Sequence, residues 1–286
     1  MPDFNLLIID ADSIVYRCGF AAEGEELSHA LHNVDTTLHS ICTRLRCFNT
    51  EVYLKGEGNF RDEVKTLTEK VYKGTRTARK PLYYDEIREH MQRKHGAVLV
   101  NGMEADDKCS IRLWESDENV CLVSLDKDLD NTPGWHYNFV NAKKDLYYVD
   151  IHTANRNFLC QMLEGDRVDN ISGLPDIAIM TRVNLDLPQC KGVGKVTIKK
   201  LCELFPNNRD LLAVVAALYH EYYTAYGHSD VRIEAEFFAQ ADLLFMSRVG
   251  FADHRVPFQL PKEFMELVDD GYRCINAVHE SLATIF

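Results

Sequence analysis

The chain has 286 residues, of which 46% are hydrophobic and 27% charged, with a net charge of −12 at pH 7. That balance is ordinary for a globular protein able to bury a core in one large domain or two moderate ones. No stretch approaches the roughly 18 to 20 uninterrupted apolar residues of a membrane helix, which argues against a membrane partner. Met1-Pro2-Asp3-Phe4 leads straight into a strand pattern rather than a cleavable signal, so a cytoplasmic location is expected. The nine cysteines are scattered, with no C-x-x-C pair and no cysteine/histidine cluster of zinc spacing, which points to reduced thiols rather than disulfides or structural zinc.

Residues 5–9 are a short apolar run closed by Asp10, the pattern of a strand buried on both faces of a parallel sheet. Similar runs recur at 51–54, 97–100 and 120–125, with amphipathic stretches between them suited to crossover helices. The fold expected here is α/β with a central, mainly parallel sheet. Ligands of such sheets gather outside the carboxyl ends of the strands, where Asp10, the Glu104 to Asp107 group and Asp126/Asp128 would converge. Shorter strands are expected at 135–140 and 146–149. From Asn155 the period becomes helical, with Leu159, Met162 and Leu163 on one face. We therefore divide the chain into a core over 1–165, with a basic segment at 55–95, and a helical domain over 166–286.

Acids cluster at the strand ends. In Asp10-Ala11-Asp12-Ser13 the first acid could cap the next helix or bind a metal, and that motif alone does not decide. In Gly102-Met103-Glu104-Ala105-Asp106-Asp107, three carboxylates within four residues exceed what a helix start needs, and a hard cation with oxygen ligands would relieve their repulsion. The run Ser124-Leu125-Asp126-Lys127-Asp128-Leu129-Asp130 begins like a calcium-binding EF-hand loop. Asn131 and Tyr137 stand where that loop needs Gly and Glu, and no entering helix precedes it. In Gly165-Asp166-Arg167-Val168-Asp169-Asn170-Ile171 two further acids lie three apart. A solvated turn explains one such group well and four poorly.

Two segments offer positive counterparts. Lys70, Lys73, Arg76, Arg79 and Lys80 stand with no acid from 70 to 84 and with Tyr72, Tyr83 and Tyr84 nearby. A solvated helix face normally mixes signs, so this favours a nucleic-acid groove. Residues 55–94 as a whole hold eleven Lys/Arg against seven Asp/Glu, a net of +4, so the rest of the chain carries −16. Lys191-Gly192-Val193-Gly194-Lys195 is not a P-loop, because Gln189 and Val196 occupy its required Gly and Ser/Thr positions, and Thr197 breaks a dinucleotide fingerprint. It reads as a glycine hairpin between two helices. Gly192, Gly194, Lys195 and Lys199 could present backbone NH groups and charge to a phosphate, or form only a turn.

In order and spacing, E-A-D-D at 104–107, S-L-D-K-D at 124–128, G-D-x-x-D-N-I at 165–171 and G-V-G at 192–194 resemble the bacteriophage and bacterial 5′-nuclease family. That family includes the flap endonucleases and the 5′-nuclease domain of bacterial DNA polymerase I. The resemblance runs from Asp10 to about Phe205 and implies a core like that of PIN domains. It implies one metal group from Asp10, Glu104 and Asp106 with Asp107 close by, and a second from Asp126, Asp128, Asp166 and Asp169. Tyr72, Lys73, Arg76, Arg79 and Lys80 would belong to the basic arch or clamp. Lys73 would touch the scissile phosphate, with Arg76 assisting.

Gly192 to Lys195 is similar to the family's helix-hairpin-helix-type element, which grips duplex DNA, with K⁺ as its monovalent cation. Two Mg²⁺ ions, replaceable by Mn²⁺, are the implied cofactors, and no organic cofactor is expected. DNA with 5′ ends or 5′ flaps is the implied partner, with an RNA/DNA hybrid as a further class. The implied location is the host cytoplasm for a phage-encoded enzyme. The chain departs from the family at the end of the second strand, where Lys55-Gly56-Glu57-Gly58 stands in place of a further Asp. Residues 174–190 read as an insertion. The competing readings are a DNA-binding relative with weakened catalysis and a metal-dependent ribonuclease of related architecture.

Overall fold

The computed structural model describes residues 2–75, 77, 79–116, 119–141, 145–189, 192–248 and 264–283. The chain forms two compact units, Met1–Asp62 with Thr77–Ala154 and Met246–Val256, and Glu63–Arg76 with Asn155–Phe245 and Pro257–Phe286. Residues 155–165, which the sequence reading groups with the core, belong to the second unit. Their helix buries Phe158, Leu159, Met162 and Leu163 in that unit's apolar cluster.

The first unit is built on a six-stranded sheet of order β3-β2-β1-β4-β5-β6. The strands are β1 Leu6–Asp10, β2 Thr50–Lys55, β3 Val98–Val100, β4 Val120–Val123, β5 Gly134–Tyr137 and β6 Leu146–Val149. Five run parallel, and β6 joins β5 antiparallel through the pairs Gly134 with Val149 and Tyr137 with Leu146. β1 is central and buried along its whole length, which is why its sequence is uninterrupted Leu-Leu-Ile-Ile.

Side-chain alternation then sorts two cores. Leu7, Ile9, Val52, Leu54, Cys121 and Val123 face one side, with residues of helices α1 (Asp12–Ala21), α2 (Leu27–Leu45) and α3 (Tyr84–His95). Helix α2 buries Ala30, Val34, Leu38, Ile41 and Leu45, one stripe at helical spacing. Leu6, Ile8, Tyr53, Val120 and Leu122 face the other side, with Cys109, Ile111 and Leu113 of helix α4 (Ala105–Trp114).

The second unit contains α5 (Ile151–Glu164, whose first turn belongs to the first unit), α6 (Ile179–Asn184), α7 (Lys195–Leu204), α8 (Asn208–Ala225), α9 (Asp230–Leu244) and α10 (Phe264–Ala283). Its core centres on α8, where Leu211 and the run Ala213 to Tyr219 are all buried. No helix among the described residues is long and apolar enough to cross a membrane.

In the first unit the guanidinium of Arg61 and the carboxylate of Asp107 are both fully buried and bind each other through two hydrogen bonds. Asp107 also accepts from the backbone NH of Ser247 at 3.2 Å. Asp107→Asn should therefore destabilise the fold by about 3 to 5 kcal/mol, because it leaves a buried guanidinium without its counter-charge. Urea unfolding checks this, and a change below about 1 kcal/mol would contradict it.

Candidate metal centre

The strand pleat decides which side chains reach the α4 side of the carboxyl edge. On β1, Leu6 and Ile8 face α4, so Asp10 does too. On β4 the same rule carries from Val120 and Leu122 to Ser124, and on β2 from Tyr53 to Lys55. Helix α4 packs on this side, so its first residues arrive at the same edge with Glu104 and Asp106. The strand order places a topological switch between β1 and β4, with Asp10 and Ser124 on its two sides.

Contacts follow from that placement. Ser124 Oγ donates to Asp10 Oδ2 at 2.8 Å and accepts from the Asp126 NH at 3.0 Å. Asp126 in turn accepts from the Asp128 NH at 2.9 Å, which fixes the start of the loop after β4. Asp12 is held by the Lys55 NH at 2.9 Å and by Arg88 Nη1 at 3.0 Å. Lys55 Nζ lies 3.2 Å from Glu104 Oε1.

Burial and the negative charges of Asp12 and Asp126 push the Asp10 carboxyl up to about 7, against a smaller pull downward from the Ser124 hydrogen bond. Burial also raises Asp12, with Lys55 and Arg88 opposing it and Glu104 adding to it. Beneath them the Cys109 thiol is raised by its complete burial and then by Asp10, Asp106 and Asp12. Asp10, Asp12, Glu104, Asp106 and Asp126 all offer carboxylate oxygens at this edge. Charge that is costly to expose to its own neighbours fits a hard divalent cation.

Of the expected ligands, the structure thus brings Asp10, Glu104, Asp106 and Asp126 to one edge, with Asp128 beside Asp126. It does not close them to metal-ligand spacing. Among the described residues, the trio with donor atoms within 4.8 Å of one another is a different one, Asp35, His90 and His95. Asp107 points elsewhere, with both oxygens engaged by Arg61. β2 ends at Lys55 and so brings an ammonium to this edge, with Glu57 exposed two residues further on.

In the second unit, Asp166 and Asp169 form the loop after α5. Asp166 Oδ1 accepts from the NH groups of Val168 at 2.7 Å and Asp169 at 3.2 Å. Gly165 and Gly173 both have positive φ, and a Cβ on Gly173 would lie 2.3 Å from the Gly165 nitrogen, so both glycines are required for the loop to close. Asp169 receives the Tyr72 hydroxyl at 3.1 Å, and its backbone oxygen accepts from the Lys73 NH at 2.8 Å. Lys73 Nζ lies 3.6 Å from Asp169 Oδ2 and 4.9 Å from the centre of the Tyr72 ring.

The basic stretch is divided between the units. Lys70, Tyr72 and Lys73 lie in the second. In the first, Arg79 pairs with Glu23 at 2.7 Å and Lys80 sits 4.3 Å over the Tyr84 ring. Arg76 and Lys191 lie outside the described residues.

Gly192 has φ +75 and Gly194 caps the N-terminus of α7 with no atom within 4 Å of a notional Cβ. Lys195 and Lys199 are exposed on α7, with Lys199 3.8 Å from Glu203. A cavity of about 300 Å³ opens beside this turn, with Lys70, Arg167, Gly192 and Gly194 in its lining. Within residues 174–189 lies α6, whose buried Arg182 donates to the carbonyls of Ile177, Pro188 and Gly192 and pairs with Asp176. That single guanidinium ties the α6 segment to the hairpin. The sequence signal for it was one Arg six residues after an Asp in a largely apolar run.

This α/β architecture, a mainly parallel sheet with acids at the switch point of its carboxyl edge and a helical unit with a glycine hairpin, is one that solved structures share. The solved structures that share it include the 5′-exonuclease of bacteriophage T5 with zinc ions bound. That likeness has a TM-score of 0.53 at 16% identity, over 98% of this chain and 99% of that one. A mutant of the same exonuclease matches with a TM-score of 0.50 at 16% identity, over 99% of both chains. The bacteriophage T5 flap endonuclease in a pseudo-enzyme-product complex with DNA and metal ions also matches. It has a TM-score of 0.50 at 16% identity, over 98% of both chains. No protein-family model and no curated protein sequence matches the chain.

Asp10 gives a pH test. Between its ordinary value of 3.8 and about 7, the folded chain keeps a proton that the unfolded chain has lost. Stability from this group therefore falls as pH rises through that window. In EDTA, Asp10→Asn should flatten the fall, read by urea unfolding at several pH values. Identical slopes for the two proteins would exclude Asp10 as its source.

Proposed function

We propose that the chain is a member of the 5′-nuclease family and hydrolyses phosphodiester bonds of DNA at 5′ ends or 5′ flaps, leaving 5′ phosphates. The observation that carries this reading is Asp10 at the carboxyl edge of a sheet of this fold, where its burial first, and then the charges of Asp12 and Asp126, lift it to about 7. An all-carboxylate donor set suits Mg²⁺, with Mn²⁺ able to replace it. Asp10, Glu104 and Asp106 would hold one ion, and Asp126 and Asp128 would contribute to a second. When bound, divalent ions activate water and offset charge on the phosphate oxygens.

The chain's own residues supply the rest. Lys73, aimed by Tyr72 and Asp169, offsets phosphate charge, and Arg76 belongs to the same basic segment. Gly192, Gly194 and Lys195 present NH groups and a cation to the duplex backbone, with K⁺ as a further occupant of that turn. An RNA/DNA hybrid is a second substrate class in this reading, and the cytoplasm is its compartment.

One observation favours a binding protein without turnover. Lys55, not an acid, meets Glu104 at the end of β2. Labelled 5′-flap and 5′-ended duplexes with Mg²⁺ or EDTA distinguish the two. The nuclease cleaves in Mg²⁺ only, and Asp10→Asn and Lys73→Ala each lower the rate by at least about a hundredfold. Tight binding without cleavage by the wild type would instead establish the binding protein.

Lys195→Ala should weaken duplex binding evenly across sequences and reduce the log–log salt slope by about one. An unchanged slope, read by fluorescence anisotropy across a salt series, would remove Lys195 from the backbone contacts.

A further inference from the structure

The first unit holds a second group of ligand-type side chains, on α2 and α3 rather than at the strand ends. Asp35 lies on α2, His90 on α3, and His95 is the last residue of α3, where Gly96 in the left-handed region ends the helix. The Nε2 atoms of His90 and His95 approach the same atom, Asp35 Oδ1, at 2.8 and 2.7 Å. Their rings stand nearly edge to face with centroids 5.7 Å apart. The other oxygen, Asp35 Oδ2, accepts from Lys94 at 2.7 Å.

A simple ion pair between the two helices would need one histidine, and Lys94 already provides a cation. Two imidazole nitrogens converging on one carboxylate oxygen instead place three donor atoms around one point. All three side chains are half-buried, which leaves them reachable from solvent. We propose that Asp35, His90 and His95 bind a single transition-metal ion of the zinc type, separate from the carboxylate centre, which clamps α3 to α2.

The donor chemistry selects the metal. Two imidazoles and one carboxylate suit zinc, whereas an oxygen-only edge suits magnesium. With ligand distances of about 2.0 to 2.1 Å, the corners of a tetrahedron lie about 3.3 Å apart. The present contacts of 2.7 and 2.8 Å then need to open by only about half an ångström. Lys94 retains Oδ2, so Asp35 would bind through Oδ1 alone, and water would complete the fourth position.

The test uses the full chain in excess Mg²⁺, so that the carboxylate edge is occupied. Zinc titration by calorimetry should give one equivalent that is absent from H90Q/H95Q and at least roughly tenfold weaker in Asp35→Asn. Equal stoichiometry and affinity in all three proteins would overturn the site. Should the double variant fail to fold, histidine ¹⁵N spectra of the wild type decide. The Nε2 signals of His90 and His95 should move on adding one equivalent of zinc, and unmoved signals would leave only an ion pair.

Discussion

Several negative charges share one edge of the first unit, where Asp10 and Glu104 are buried, and the cost of that crowding organises its surroundings. Asp10 ends a strand with no exposed residue, so its carboxylate has little water to solvate it, and Asp12 and Asp126 repel it further. Each neighbouring acid has its own answer. Asp12 takes a guanidinium and a backbone NH, Glu104 takes an ammonium, and Asp107 is withdrawn into a buried ion pair with Arg61. The difference between Asp106 and Asp107 is instructive. One residue along a helix turns a carboxylate from the sheet edge into the interior, so adjacent acids in one motif serve unrelated ends.

The second unit solves a different problem, which is to order its loops rather than to concentrate charge. Its acids act on the backbone. Asp166 shapes its own loop, and Asp169 gathers Tyr72 and Lys73 so that an ammonium is fixed by an acid and an aromatic face. Arg182 performs the equivalent service for the hairpin, spending its donors on three carbonyls and one carboxylate. Without such a buried anchor, a loop of that length beside two glycines would have little to define it.

Much of this was legible in the amino-acid order. The uninterrupted apolar run before Asp10 gave a central strand, and acids at strand ends gave the edge at which they collect. Helical periodicity after Asn155 gave the helical unit. What escaped were partners distant in sequence. Ser124 meets Asp10 across 114 positions and Arg61 meets Asp107 across 46; Arg61 belongs to no motif, and the motif that holds Ser124 does not name its partner. The assignment of Asp107 to a metal group rested on its spacing from Glu104, which locates a helix face but not what packs on it. The Asp35, His90 and His95 group was invisible for the same reason, since its acid and its imidazoles come from helices separated by the whole of β2. Lys55 was noticed only as the residue standing in place of an acid.

Lys55 changes what the acidic edge asks of folding. A chain of net charge −12 that collects carboxylates at one place would ordinarily meet its greatest self-repulsion as the last elements dock. Here β2 carries an ammonium to Glu104 as part of the sheet itself. Part of the counter-charge is thus covalently attached and arrives with the strand register, at no cost in concentration. An ion arriving later competes with a tethered cation whose effective concentration never falls, so occupancy of that corner becomes a contest between solution composition and chain geometry.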